Sequence, residues 1–273
     1  MEDISNPITI ALAGATGKMG LSAAAAILGD PRFQLSAVLV HHQSANLQLP
    51  CPTYTNVDTL LTEIHPRVWL DFTDANSVGT HVDACLEYGV RPVIGTTGYT
   101  DTDLKQWHER YLAADLGGIV APNFAIGALL MMRFAAEASR FFSHAEIIEL
   151  HHVGKKDAPS GTARRTAETM AKAREQARSV TALPARLLEA ELSPSDENLS
   201  TARGLSVAGI AVHSVRLPGL VAHQEVLLGG QGETLTVRHD TYDRQSFMPG
   251  VLLALDKVEQ VRGIVYGLEH LLW

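Results

Sequence analysis

Along residues 8–123, short apolar runs alternate with amphipathic or alanine-rich segments. ITIALA (8–13) has the length of a strand and ends at the glycine cluster GATGKMG, and LSAAAAIL beyond it is built from strong helix formers. QLSAVLV, ending near Val40, reads as a second strand, so the chain opens with a β-α-β unit. RVWLDF (67–72) then reads as a strand, SVGTHVDACLEYG (77–89) as a helix, RPVIGTT (91–97) as a strand, 101–114 as a helix and GGIVAPN (117–123) as a short strand. Strands separated by helices imply a parallel sheet covered on both faces.

After residue 123 the pattern changes. Residues 124–142 predict one long apolar helix, HAEIIELHH (144–152) a strand, GTARRTAETMAKAREQA (161–177) a helix and the polar segment 189–203 a solvent loop. GLSVAGIAVHSVRL, VAHQEVLLGG and ETLTVRHDT follow as strands with short Gly or Pro connections, which fits an antiparallel or mixed sheet. The tail FMPGVLLALDKVEQVRGIVYGLEHLLW reads as helix. The expected fold is α/β. An N-terminal Rossmann-like dinucleotide-binding domain spans residues 1–122 and is completed by a C-terminal helix over 243–273. Residues 123–242 form a second α+β domain containing a mixed sheet.

Composition narrows the partners. The 273 residues are 46% hydrophobic, enough for a large core or two moderate ones. A formal charge of −8 without a long basic run argues against an extended nucleic-acid footprint or a polybasic membrane anchor. The opening MEDISNP is acidic and polar rather than basic and then apolar, and no long apolar run follows, so the cytoplasm is the expected location. Cys51 and Cys85 stand in unrelated contexts, which gives neither a disulfide framework nor a Cys-x-x-Cys motif.

Gly14, Gly17 and Gly20 end a strand and open a helix, the setting in which a tight turn lets a pyrophosphate approach backbone amides and a helix N-terminus. The spacing is G-x-x-G-x-x-G, a variant of the usual fingerprint, and a purely structural turn is the competing reading. Without a closing Gly-Lys-Ser/Thr the P-loop reading is weaker. A carboxylate that grips the ribose 2′-hydroxyl belongs near the end of the second strand, but the chain there reads VLVHH. The expectation is therefore NADPH and/or NADH, with NADPH at least tolerated or even preferred and Lys18 and His41 near its 2′-phosphate. The alternative leaves His41 and His42 as surface residues. Gly95, Thr96 and Thr97 end another strand on the same sheet edge, and APNF (121–124) ends the last one, so both clusters can border the same ligand.

The stretch ELHHVGKKDAPSGTA (149–163) concentrates two imidazoles, two ammonium groups and a helix start. His151 and His152 alternate along a strand and point apart, which makes them an awkward metal pair, and no metal is expected. Ser160 is a plausible N-cap, with Gly161 and Thr162 in the first helical turn. Amides there and the Ser160 and Thr162 hydroxyls form a nest for a carboxylate, to which His152 and Lys155 add positive charge. Lysine can donate a proton while histidine titrates near neutrality, as reduction of an imine or enamine by a hydride donor requires. The competing reading is a solvated lysine pair beside structural histidines. Arg216 and Arg238 can hold carboxylates too, but single residues of this kind are more often structural and stay outside the primary site.

Taken together, E149-L-H-H-V-G-K-K-D-A-P-S-G-T-A163, GATGKMG, GTTG (95–98), APNF, HSVRLPG (213–219) and RHDTYDRQSFMPG (238–250) resemble the 4-hydroxy-tetrahydrodipicolinate reductase family from the first strand to the C-terminal helix. The resemblance implies an NAD(P)H-dependent oxidoreductase of the diaminopimelate route to lysine, which reduces 4-hydroxy-tetrahydrodipicolinate to tetrahydrodipicolinate with loss of water. It makes His151 the catalytic histidine and Lys155 the proton donor, with His152, Ser160, Gly161 and Thr162 around the substrate carboxylates. Cofactor contacts fall to Gly14, Ala15, Thr16, Gly17, Lys18 and Met19, to Gly95, Thr96 and Thr97, and to Ala121, Pro122, Asn123 and Phe124, to which the reading of the second strand's end adds His41. It further implies a homotetramer assembled through the sheet of the second domain. One departure concerns Val40 and His41, where many members carry an acidic residue often followed by arginine; this leaves the reaction class alone and bears on cofactor choice. A non-catalytic dinucleotide-binding protein would keep GATGKMG but have no use for His151 and Lys155, a related reductase acting on another small dicarboxylate is the other alternative, and a semialdehyde dehydrogenase would need a cysteine after the cofactor domain.

Overall fold

A computed structural model describes residues 6–42, 48–180 and 202–273. In chain order the regular elements are β1 (Ile8–Ala13), α1 (Lys18–Leu28), β2 (Phe33–Leu39), β3 (Thr53–Tyr54), α2 (Val57–Ile64), β4 (Val68–Asp71), α3 (Val78–Glu87), β5 (Arg91–Ile94), α4 (Asp101–Ala113), β6 (Gly117–Val120), α5 (Ile126–Ser139), β7 (His144–His151), α6 (Gly161–Val180), β8 (Leu205–Val207), β9 (Ile210–Arg216), β10 (Ala222–Gly230), β11 (Glu233–Thr241), α7 (Met248–Lys257) and β12 (Gly263–Tyr266). They form two compact units, one of residues 1–125 with 247–273 and one of residues 126–246.

The first unit holds a sheet of order β12-β6-β5-β4-β1-β2-β3 in which every pairing is parallel. This is the doubly wound, Rossmann-like order, with its switch point between β1 and β4. Strands β4, β5 and β6 are buried along their length or nearly so, as apolar runs covered on both faces should be. Trp69, Leu60, Leu61, Val82, Tyr111 and Ile94 belong to its core. Helix α2 begins at Asn56, whose Oδ1 accepts the Thr59 amide at 2.8 Å, and α4 begins with a reciprocal Thr100–Asp103 capping box.

The second unit holds a mixed sheet of order β11-β10-β7-β9-β8, with β7 parallel to β9 and antiparallel to β10. One face packs against helices: Ile147, Val212, Val226 and Leu228 join Ala135 of α5 and Ala163, Ala167 and Met170 of α6 in one core. Gln224 of β10 reaches the Thr166 hydroxyl of α6 at 2.8 Å on the same face.

Three expectations need correction. The tail is not one helix. α7 stops at Lys257, and GIVY, apolar and short, becomes β12 at the edge of the parallel sheet beside β6. GLSVAGIAVHSVRL is two strands, because Ala208 and Gly209 both take positive φ (50° and 78°) and turn β8 back onto β9. The long helix after residue 123 covers only 126–139, and β3 and α2 occupy a stretch for which the hydrophobic pattern predicts no element. Most of the polar segment 189–203 lies outside the described residues. Among those residues no helix is long and apolar enough to cross a membrane.

Candidate active site

In the first unit the glycine loop leaves the C-terminal end of β1 and enters α1. Gly14 has φ 82°, and a Cβ there would stand 2.4 Å from the Phe72 carbonyl oxygen, so only glycine lets this loop pass the end of β4. Gly17 is the N-cap of α1 with no side-chain hydrogen bond, and no acidic residue sits in the first turn. A cavity of about 430 Å³ opens here, lined by Gly14, Thr16, Gly17, Val40, His41, Phe72, Asp74 and His81 among others. A bare helix start beside a turn that admits no side chain fits a dinucleotide pyrophosphate. Ala15 is buried and has only its backbone to give, Met19 is partly buried, and Lys18 stands exposed at the first residue of α1, outside the lining of this cavity. Asp30 is remote from it, paired with Arg32 at 2.6 Å just ahead of β2.

Gly95–Thr97 and Ala121–Phe124 follow β5 and β6 at the same sheet edge as the glycine loop. A Cβ on Gly95 would lie 2.3 Å from the Phe72 ring and 2.8 Å from the Phe124 ring, so this glycine lets three loops converge. Phe124 is itself buried edge-on to Phe72, and the Asn123 side chain accepts the Ala125 amide at 2.8 Å. Thr97 and Pro122 are exposed, while Ala121 and Thr96 are buried.

Thr96 turns inward onto a group that sequence reasoning passed over. Asp71, the last residue of β4, is fully buried and accepts from Trp69 Nε1 (3.0 Å), the Thr73 amide (2.9 Å), the Thr73 hydroxyl (2.5 Å) and the Thr96 hydroxyl (2.8 Å). His81 Nδ1 lies 2.7 Å away. Burial works against its charge, but the donors from His81 and Thr73 hold the carboxyl below the ordinary carboxylate range. It ties the loops after β4 and β5 to α3.

In the second unit the chemistry gathers around Glu149, a fully buried residue of β7. His151, two residues on and on the same face, places Nδ1 2.5 Å from Glu149 Oε2. Arg216, brought opposite His151 by the parallel pairing of β7 with β9, grips both carboxylate oxygens at 2.9 and 2.7 Å and also donates to the Asp157 carbonyl at 2.7 Å. The Ser160 amide donates to Glu149 Oε1 at 3.2 Å. Burial alone would raise this carboxyl; hydrogen bonds from His151, Arg216 and Ser214 outweigh it and hold the value at about 2. A carboxylate so firmly ionised takes the Nδ1–H of His151 and leaves Nε2 for chemistry.

The 149–163 stretch is only partly drawn into this network. β7 ends at His151, so His152 is exposed beyond it, beside Gly154. Lys155 Nζ pairs with Asp157 Oδ1 at 2.8 Å, and Asp157 also accepts from the Gly161 amide. Lys155 is thereby tethered to the amino end of α6. Ser160 is buried, and its hydroxyl accepts the Ala163 amide at 3.1 Å, so it caps α6 as expected and has one hydroxyl proton left to give a ligand. Gly161 is exposed and Thr162 partly so in the first turn. Sequence reasoning missed Glu149 and set Arg216 aside. The i, i+2 spacing of Glu149 and His151 on one strand face was a usable signal for the first. Arg216 required the strand register. Among the described residues no cluster of His, Cys, Asp and Glu could hold a metal ion.

Comparison with known proteins covers nearly the whole chain. The family model described as "Dihydrodipicolinate reductase, N-terminus" matches residues 8–124, and its companion, "Dihydrodipicolinate reductase, C-terminus", matches residues 127–272. A 4-hydroxy-tetrahydrodipicolinate reductase of Geobacillus thermodenitrificans is 44% identical over 97% of this chain and 99% of its own length. One from Streptococcus pneumoniae serotype 19F is 46% identical over the same shares. The solved structure of dipicolinate-bound dihydrodipicolinate reductase from Paenisporosarcina sp. TG-14 superposes with a TM-score of 0.82 at 44% identity, covering 97% of this chain and 99% of that one.

Proposed function

The chain belongs to the dihydrodipicolinate reductase family and is an NAD(P)H-dependent 4-hydroxy-tetrahydrodipicolinate reductase of the diaminopimelate route to lysine, and from that premise we propose how its residues divide the work. The observation that carries the division is the buried Glu149, which accepts hydrogen bonds from His151 and from the residue that caps α6, while Lys155 is tied to the first turn of the same helix.

Hydride and one proton enter the substrate and one water leaves. The bound nicotinamide dinucleotide supplies the hydride. Lys155 donates the proton as charge develops on the ring, and His151, fixed through Nδ1 by Glu149, acts through Nε2. His152, the Ser160 hydroxyl and the amides of Gly161 and Thr162 hold the substrate carboxylates at the positive end of α6. The Asp157 carboxylate, which already lies on Lys155 and the Gly161 amide, marks where an anion is stabilised and is the group a substrate carboxylate has to displace. Arg216 and Glu149 position these groups and take no part in proton transfer.

Gly14–Met19, His41, Gly95–Thr97 and Ala121–Phe124 hold the cofactor. Lys18 and His41 favour the 2′-phosphate, so NADPH is accepted as well as NADH. The protein works in the cytoplasm as a homotetramer built through the face of the mixed sheet opposite α5 and α6, where partly buried Ile148, Leu150 and Leu227 alternate with the Glu146–His213 and Arg238–Glu225 ion pairs.

The test is oxidation of NADPH and of NADH by purified protein, with substrate generated in place by a separate synthase from pyruvate and aspartate semialdehyde. Lys155→Ala is expected to lower kcat by about 10²- to 10⁴-fold while leaving the affinity for both cofactors unchanged. Equal kcat in variant and wild type would remove Lys155 from the proton-transfer role.

A further inference from the structure

The end of β2 offers the dinucleotide cavity no carboxylate, but the loop after β4 does. Asp74 lines the same cavity as His41, and its Oδ2 lies 3.2 Å from His41 Nε2. The carboxylate is fixed from behind, since Oδ1 accepts the Asn76 amide at 2.8 Å and the Ser77 hydroxyl at 3.4 Å. The Asn76 and His41 hydrogen bonds also keep its carboxyl below the ordinary range, so it is ionised at neutral pH.

We propose that Asp74 sets the cofactor choice of this chain, accepting the ribose hydroxyls of NADH at Oδ2 and counting by its charge against the 2′-phosphate of NADPH. A carboxylate at the end of the second strand performs this task in other dinucleotide folds; here the next loop along the cavity rim supplies it. A ribose diol brings hydroxyl donors and no charge, whereas a phosphate brings like charge to a carboxylate that is held in place. His41 is the counterweight. While Asp74 holds its Nε2, a phosphate has to win the imidazole from a competing anion, and Lys18, outside the cavity lining, is left as the cation in its favour. The inference rests on the cofactor reading above and adds the residue that limits NADPH.

The experiment is calorimetric titration of substrate-free protein with NADPH and with NADH, in wild type and in Asp74→Asn. Asparagine keeps an oxygen for the Asn76 amide, so the turn survives, and Asp74→Ser serves in its place if the first variant fails to fold. The ratio of NADPH to NADH affinity is expected to rise about fivefold in the variant, the scale of one exposed charge contact, and to fall in His41→Gln. An unchanged or lower ratio in a folded Asp74 variant that binds both cofactors overturns the proposal. Wild-type protein that binds neither cofactor would instead overturn the cofactor reading, whatever Asp74 does.

Discussion

Among the described residues, each unit of this protein buries a carboxylate against a histidine, and the two are satisfied in different ways. Asp71 meets a tryptophan indole, two threonines and a backbone amide, groups that are neutral and, apart from Thr96, lie two residues away in sequence. Glu149 meets a guanidinium that arrives from 67 residues away and grips both of its oxygens. A carboxylate held by several neutral donors loses little when one donor goes. A buried one balanced by a cation becomes an uncompensated charge if the cation is removed. The first arrangement suits a seam that joins the loops following β4 and β5. The second suits a histidine whose orientation must not drift, because moving it would mean breaking the register of β7 against β9.

The largest test of that contrast is Arg216→Met. It strands the Glu149 charge and is expected to cost about 3 to 5 kcal/mol of stability in urea unfolding; a loss of only about 1 kcal/mol would mean that the neutral donors suffice here too. Next comes pH. The folded value of Glu149, about 2, lies below the ordinary 4.5, so the stability it contributes is complete above that ordinary value and drains away as pH falls toward the folded one. In Glu149→Gln the melting temperature should therefore fall less steeply than in wild type between about pH 5 and about pH 3. Parallel slopes would shift the acid sensitivity to Asp71, whose depression has the same sign. The smallest effect is expected for Thr96→Val, which removes one neutral donor from Asp71 and should cost about 1 kcal/mol in the same unfolding assay. A cost several times larger would erase the distinction between the two carboxylates.

The same contrast explains what could be read from the sequence. The glycine loop is legible because strand, turn and helix start are contiguous and each imposes its own residue types. The capping role of Ser160 is legible for the same reason. The Glu149–Arg216 pair is not, because it depends on which strand lies beside β7, and Asp74 is hidden for a similar reason: its neighbour His41 belongs to a different strand end. β12 escapes because four apolar residues have no period to distinguish them from helix, and only the vacant flank of β6 decides the matter. The turn at Ala208 and Gly209 is missed because alanine rarely signals a positive φ.

The place of β12 also has a bearing on synthesis. Six of the seven parallel strands are made before the mixed-sheet unit emerges, and the seventh only after it. Until Gly263–Tyr266 leaves the ribosome, β6 has one bare flank whose amides and carbonyls can recruit the wrong strand. The nascent chain is therefore most exposed to mispairing while its second unit, a continuous stretch of sequence, is already free to fold.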